Sequence, residues 1–389
     1  MIEIEDKNNV LEDDSSKLLD TFPVKSGKGL SYSDFFQQFM VKNVPCLIRD
    51  LMSDWPATRD LINDKQEPNI EFFETLENVQ VPVADCSAKY FNSQEKISMT
   101  LKEYLSYWRS SRQDANTNLY YLKDWHFVKQ FPEVQLYTTP EYFTSDWLNE
   151  YWQNQKDDYK FVYLGPKISW TPFHSDVFGS FSWSANVAGF KKWIFVEKGF
   201  EPDNVYDISE ILPDVNDETF DCKIHNNIRY FEVIQGPGEV IFVPSGWYHQ
   251  VLNLTDTLSI NHNWFNGTNI QYVWFQLEHE LSRVKKEISD CYEDNDEEWK
   301  GLCQKLLLAS HGMNYSTFID LLILISDARL NDGHDDIVAH FGPKHIDFDL
   351  KQVHSVVSII LASSSDDLTS LDKSKAVELS TSLKEYISC

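Results

Sequence analysis

The stretch TPFHSDVFGSFSW, Thr171 to Trp183, sets a histidine and an aspartate one residue apart, His174 and Asp176. Residues i and i+2 of a strand share a face, so this pair can grip one ion. Two donors do not complete a site, and most of the eleven histidines read as surface or satisfied core residues. One of them has a special setting. In GPGEVIFVPSGWYHQVLNL a Gly-Pro-Gly turn launches the apolar run Val240 to Val243, and PSG then turns the chain into a strand carrying His249. The pattern predicts a β-hairpin with His249 just past its tip, as the third donor. His262 alternates with Asn261 and Asn263 in LSINHNWFN; two amides on one face are harder to place outside than one histidine, so the asparagines are assigned inward and His262 outward. His126 and the C-terminal histidines lack a comparable setting. Two histidines and a carboxylate are the facial set that holds non-haem Fe(II) with coordination positions left open. A structural zinc site would fill four positions, commonly with cysteine; a catalytic zinc stays open as an alternative.

Iron chemistry of this kind needs a place for an organic acid. In ANVAGFKKW the small residues Ala185, Ala188 and Gly189 leave room inside a barrel, and a lysine pair follows. The keto and adjacent carboxylate oxygens of 2-oxoglutarate can chelate iron, while its far carboxylate needs a cation and hydroxyl donors. Lys191 or Lys192 can supply the charge. Alternation does not choose between them, because Trp193 and Phe195 are as apolar as Ile194 and Val196. Without the metal residues nearby, the pair would read as a solvated strand face.

The elements that must position these residues follow from hydrophobic period. After a polar tail, residues 1–20, SYSDFFQQFMVKNVPCLIRD reads as a short helix with Phe35, Phe36 and Phe39, then a strand near Val44 to Ile48. From Asn118 to Asn266 short strand-like runs alternate with Gly, Pro and Asn turns, which suggests a sandwich or barrel. The period then becomes helical: Ile270, Val273, Trp274, Leu277, Leu281, Val284 and Ile288 recur at helix spacing, with Thr268 and Gln271 as a capping box. Further helices are expected over 296–310 and 316–330, and a last pair is divided by the polar SSSDD stretch at 363–367. The fold class is mainly β with a helical C-terminal region. With 34 Lys and Arg against 61 Asp and Glu, the net charge of -27 disfavours nucleic acid and anionic membranes and suits a basic protein partner. Six scattered cysteines without a CxxC pair read as free thiols of a reducing compartment. No signal peptide or spanning segment is apparent, so the formal sequons at Asn253, Asn266 and Asn314 read as chance, and cytosol with access to the nucleus is expected.

Together, TPFHSD, GFKKW and VPSGWYHQVLNL resemble the JmjC family of Fe(II)- and 2-oxoglutarate-dependent oxygenases, over about Ser31 to Asn266 and with VKNVPCLIRDL similar to the family's lead-in. The resemblance implies a double-stranded β-helix of the cupin, jelly-roll kind over 21–267, followed by helices over 268–389. Fe(II), 2-oxoglutarate and dioxygen would be the reaction's small molecules. His174, Asp176 and His249 fall on the family's iron ligands. Lys191, rather than Lys192, falls on the lysine for the far carboxylate, and Thr171 on a hydroxyl that assists it. Tyr121 matches a tyrosine donor, with Tyr120 its neighbour, and Asn263 an amide near the metal, with Asn261 equally placed; Phe178, Phe181 and Trp183 would wall the pocket. The HxD form, without finger, reader or cysteine-rich modules, is similar to the small protein-hydroxylase branch, and within it to a group regarded as lysyl hydroxylases of the eukaryotic translation termination factor. Lysine or arginine demethylation and a non-catalytic metal-binding scaffold are the competing readings. The Val273 to Phe275 stripe reads as core packing, while the resemblance allows a homodimer through the C-terminal helices.

Overall fold

The computed structural model describes residues 2–4, 21–90, 93–111, 118–155, 157–196, 230–291, 296–330, 340–364 and 366–388. Its strands are β1 Val24–Ser26, β2 Cys46–Arg49, β3 Gln80–Tyr90, β4 Ser93–Thr100, β5 Tyr120–Trp125, β6 Lys160–Gly165, β7 Trp170–His174, β8 Phe181–Ala188, β9 Lys191–Val196, β10 Tyr230–Gln235, β11 Glu239–Val243, β12 His249–Asn253 and β13 Thr257–Trp264. They form a large sheet in the order β1-β2-β11-β8-β13-β6-β5-β3-β4 and a small one in the order β10-β9-β12-β7. From β6 onward the chain passes between the two: β6, β8, β11 and β13 belong to the large sheet, and β7, β9, β10 and β12 to the small. Two sheets wound in this manner, antiparallel but for the β1–β2 pair, are the jelly-roll, double-stranded β-helix that the resemblance implies. The expected hairpin is not formed, because β11 pairs with β2 and β8 while β12 pairs with β7 and β9. The PSGW turn is a crossing between sheets, which is how His249 leaves the strand that precedes it.

Alternation along the strands decides what faces the interior. On β8, Phe181, Trp183 and Ala185 join the core under the outer face of the large sheet, together with Ala188, Phe242, Ile260 and Trp264. The room attributed to Ala185 and Ala188 and the walls attributed to Phe181 and Trp183 are therefore in the wrong layer. Phe178 packs with the C-terminal helices instead. His262 also belongs to the outer layer: it is 1% exposed, its ring centroid lies 4.1 Å from that of Trp183, and its Nε2 meets the Tyr137 hydroxyl at 2.5 Å. It does point away from the interior, but into a second core that the N-terminal elements lay over the sheet. Phe35, Phe36 and Phe39 build that core as their spacing predicts.

The remaining helices are α1 Tyr32–Phe35, α2 Ala57–Asp60, α3 Ile70–Glu74, α4 Leu101–Ser111, α5 Phe127–Gln130, α6 Trp147–Asn154, α7 Ile270–Glu287, α8 Asp296–His311, α9 Tyr315–Leu330, α10 Pro343–Ser363 and α11 Ser370–Ser388. The apolar stripe of α7 is buried at Ile270, Val273, Trp274, Leu277 and Leu281. Trp274 packs against Tyr315 and Phe318, whereas Phe275 is half exposed. The capping box is not made: Asn269 is the N-cap residue, Thr268 bonds Asn266, and Gln271 reaches Ser355 on α10. Little of the polar tail is described, but Ile2 and Ile4 are buried and the Glu3 carboxylate accepts from the His345 backbone N–H at 2.9 Å. Cys46, Cys86 and Cys303 are free and buried; Cys222 and Cys389 lie outside the described residues. Among the described residues no helix is long and apolar enough to cross a membrane.

One buried ion cluster locks the helical region to the rest. Arg329 of α9 donates to both Glu150 oxygens on α6, at 2.5 and 2.8 Å, and to Asp349 of α10 at 3.1 Å. Arg329→Met leaves two buried carboxylates without their cation, and is expected to lower unfolding free energy by about 3–5 kcal/mol in a denaturant titration.

Candidate metal and cosubstrate site

His174 ends β7 and His249 begins β12, and the two are register partners on neighbouring strands of the small sheet. Their ring centroids are 4.3 Å apart. Asp176 is not on the strand that carries His174; it sits in extended backbone, φ -64° and ψ 149°, at the entry to the short turn Val177–Gly179. One ligand atom from each of the three residues lies within 4.8 Å of the others. The His174 Nδ1 meets the Pro172 carbonyl at 2.8 Å and the His249 Nδ1 meets the Trp247 carbonyl at 3.0 Å. A carbonyl only accepts, so each Nδ1 carries a proton and each Nε2 is the nitrogen left to meet an ion. Burial, helped by the neighbouring His249, pushes His174 down to about 4, which keeps it neutral. The Asp176 carboxylate accepts from Ser182 Oγ at 2.7 Å and from Asn263 Nδ2 at 3.0 Å. Two imidazoles held through their Nδ1 atoms and one braced carboxylate suit Fe(II).

Across the same interior, Lys191 is 2% exposed and donates to Ser259 Oγ at 2.7 Å and to Tyr121 Oη at 3.4 Å. Among the described residues no carboxylate pairs with it, and burial pushes its ammonium down to about 7. A buried cation held by two hydroxyls has the chemistry to receive an anion. Lys192 faces the other way and pairs with Glu232. Thr171 lies three residues before His174, a spacing that alternation alone would put on opposite faces. The β7–β12 register slips there: His174 stands opposite His249 and Thr171 opposite Val251, so the irregularity brings both to the interior face. Asn263 reaches Asp176 and Ser180, whereas Asn261 bonds Ser259. Ser182 and Ser259 escaped the sequence reading. The signal was present in the strict alternation of Ser182, Ser184 and Asn186 with apolar neighbours on β8. A second group, His126 with Asp157 and Asp158, is half-exposed, and Lys129 already pairs with Asp157.

The loops carrying the ligands are held from outside the barrel. A Cβ at Gly246, φ +72°, would lie 2.0 Å from the Tyr272 hydroxyl oxygen, and one at Gly179, φ +63°, would lie 2.8 Å from the same ring. Tyr272 of α7 therefore rests on both the turn after Asp176 and the turn before His249. Asn43 bonds the backbone of Ser245, and Asn269 bonds its hydroxyl.

Residues 32–269 match the family described as cupin-like domain. The chain is 39% identical to the 2-oxoglutarate and iron-dependent oxygenase JMJD4 of Danio rerio, over 88% of this chain and 86% of the relative. It is 42% identical to the JMJD4 homolog of Drosophila melanogaster, over 78% of each chain. It is also 38% identical to the arginine-specific demethylase JMJ20 of Arabidopsis thaliana, over 82% of this chain and 72% of that relative.

Removing the braces on Asp176 tests its place in the site. Asn263→Ala and Ser182→Ala are each expected to weaken Fe(II) binding about 10- to 100-fold in an anaerobic metal titration, with the thermal transition retained. Gly246→Ala, which forces a methyl into Tyr272 at a left-handed backbone position, is expected to weaken the metal site and also lower the midpoint of thermal unfolding. By the domain it matches and the relatives it parallels along most of its length, the chain belongs to the cupin-like JmjC family of 2-oxoglutarate- and iron-dependent oxygenases.

Proposed function

We propose that this chain is a protein hydroxylase that adds one oxygen atom to a lysine side chain, with the eukaryotic translation termination factor as its substrate. His174, Asp176 and His249 would hold Fe(II), and Lys191, Thr171 and Tyr121 would bind the far carboxylate of 2-oxoglutarate. Iron, when bound, supplies the activation of dioxygen, one atom of which goes to the substrate carbon and the other to succinate as carbon dioxide leaves. The single observation that carries the reading is the convergence of the three donors in one barrel interior with a buried lysine that no carboxylate among the described residues pairs. Within it, Asn263 and Ser182 hold the carboxylate, the two backbone carbonyls fix the imidazole tautomers, and the surrounding apolar strands exclude water.

The choice of lysine rests on the likeness of TPFHSDVFGSFSW, VPSGWYHQV and SINHNWFNG to the lysyl hydroxylase branch, and a net charge of -27 favours a basic partner. A cytosolic setting with access to the nucleus and a homodimer through the C-terminal helices belong to the same proposal. Demethylation is the second reading, because a relative named for it is 38% identical to this chain.

Mass spectrometry of the termination factor after incubation with the protein, Fe(II) and 2-oxoglutarate separates the two. A gain of one oxygen on a lysine, lost with Asp176→Ala, is expected. Formaldehyde release from a methylated peptide without that gain would replace hydroxylation by demethylation. The pH dependence of cosubstrate binding tests Lys191. Its ammonium is depressed to about 7 before binding and stabilised by the bound carboxylate, so above that pH binding must take up a proton. Affinity is expected to be highest below pH 7 and to fall by up to about tenfold per unit above it, in calorimetric titrations across buffers of different ionisation enthalpy. Lys191→Met should flatten the profile.

A further inference from the structure

The barrel interior holds a second buried lysine that the proposed function does not use. Lys123 lies two residues along β5 from Tyr121, so both side chains leave the same face of the strand. The opposite face is fixed by register: Leu122 stands opposite Leu164, and both belong to the outer core. Beyond Leu122 the register slips, with Trp125 opposite Val162, and Asp124 takes φ +60°. A bulge of this kind re-aims side chains beside functional sites. Here it turns two consecutive charged residues to the interior.

No hydrogen bond joins the two, although each lies close enough to act on the other's charge. Asp124 accepts from the Tyr163 hydroxyl at 2.5 Å and pairs with Lys96 at 2.8 Å. Lys123 is 9% exposed, and its one hydrogen bond among the described residues goes to Gln94 Oε1 at 3.1 Å. Gln94 in turn donates to the Trp170 carbonyl on β7 at 2.9 Å, next to Thr171. Lys123 is thereby tied through Gln94 to β7, the strand that carries His174. An ammonium so buried, with one neutral acceptor for three donors, has donors left to offer an anion.

Asp124 is bonded to Lys96 and Tyr163, so among the described residues no carboxylate bonds either interior lysine: Lys191 stands at Tyr121, and Lys123 lies further along β5 in the direction that β13 takes from Ser259, which bonds Lys191, to Asn263, which bonds Asp176. Two strand residues span about 7 Å. The outer oxygens of an extended five-carbon dicarboxylate lie about 7 Å apart, from four C–C bonds of about 1.5 Å. We propose that Lys123 is a binding residue for the metal-side carboxylate of 2-oxoglutarate, so that the cosubstrate is gripped by a lysine at each end. The inference rests on the cosubstrate reading of the same site.

The test is binding, not turnover. Dissociation constants would be measured anaerobically with Mn(II) in place of iron, for 2-oxoglutarate and for 2-oxobutanoate, which keeps the 2-oxo acid head and lacks the far carboxylate. Lys123→Met is expected to weaken both ligands by a similar factor of about ten, the size of one charge-assisted hydrogen bond. Lys191→Met should weaken 2-oxoglutarate alone. Lys123→Arg, which keeps the charge, should retain most of the affinity and guards against a variant that merely folds poorly. A Lys123→Met protein that binds 2-oxoglutarate within twofold of the parent, or loses it while sparing 2-oxobutanoate, would overturn the assignment, as would equal losses for Arg and Met. If Lys191→Met leaves 2-oxoglutarate unaffected, the far-carboxylate reading fails separately from that of Lys123.

Discussion

The two hydrogen bonds from Ser182 and Asn263 to the Asp176 carboxylate join the halves of the site. Both donors stand on the large sheet, as register partners on β8 and β13, while both histidines stand on the small one. Three ligands can meet only if the sandwich closes to the right separation at this end. A carboxylate on a free turn would swing with that turn; bonded at both oxygens, it is fixed to the opposite sheet. Metal binding by these three candidate donors would thereby report on the whole jelly roll.

Closure of that end is reinforced from layers that supply no ligand. Tyr272 rests on the two turns that flank Asp176 and His249, and Asn43 and Asn269 grip Ser245 between them. Tyr272 stands in the first turns of α7, whose apolar face is sunk among α9 and α10, and α9 is pinned to α6 through Arg329 and Glu150. The helical region is for this reason coupled to the chemistry without touching it. A defect far out in the bundle can loosen the turns that present the ligands, and the site needs them placed within a fraction of an ångström.

The three donors were legible because their types are scarce and their local settings unusual: an HxD pair beside a turn, and a histidine following PSGW. Lys191 was legible only as one of two, since the interior face of β9 carries Trp193 and Phe195 and is no more polar than its reverse. The layer order was not legible. Alternation says that His262 opposes Asn263, which is right, but a single strand carries no mark of whether its outer face meets water or a second core. The aromatic residues that form that core, Phe35, Phe143 and Trp55 among them, come from segments distant in sequence. The same blindness placed Ala185 and Trp183 inside, where Ser182 and Ser184 stand. Thr171 shows the other limit, because its direction depends on a slip in pairing with β12 and not on its own neighbours.

The acidic exterior and the cationic interior make different demands on the same molecule. A net charge of -27 repels a dianion at long range, yet salt confines that repulsion to roughly 8 Å from the surface. Inside, Lys191 acts in a medium that screens it far less, at the short distance of a hydrogen bond, and so governs the local potential. Such a lysine destabilises the empty fold through its desolvation, which a bound carboxylate relieves. If Lys191 holds the far carboxylate as proposed, cosubstrate binding and consolidation of the barrel favour each other, since any group that binds only the folded state also stabilises it.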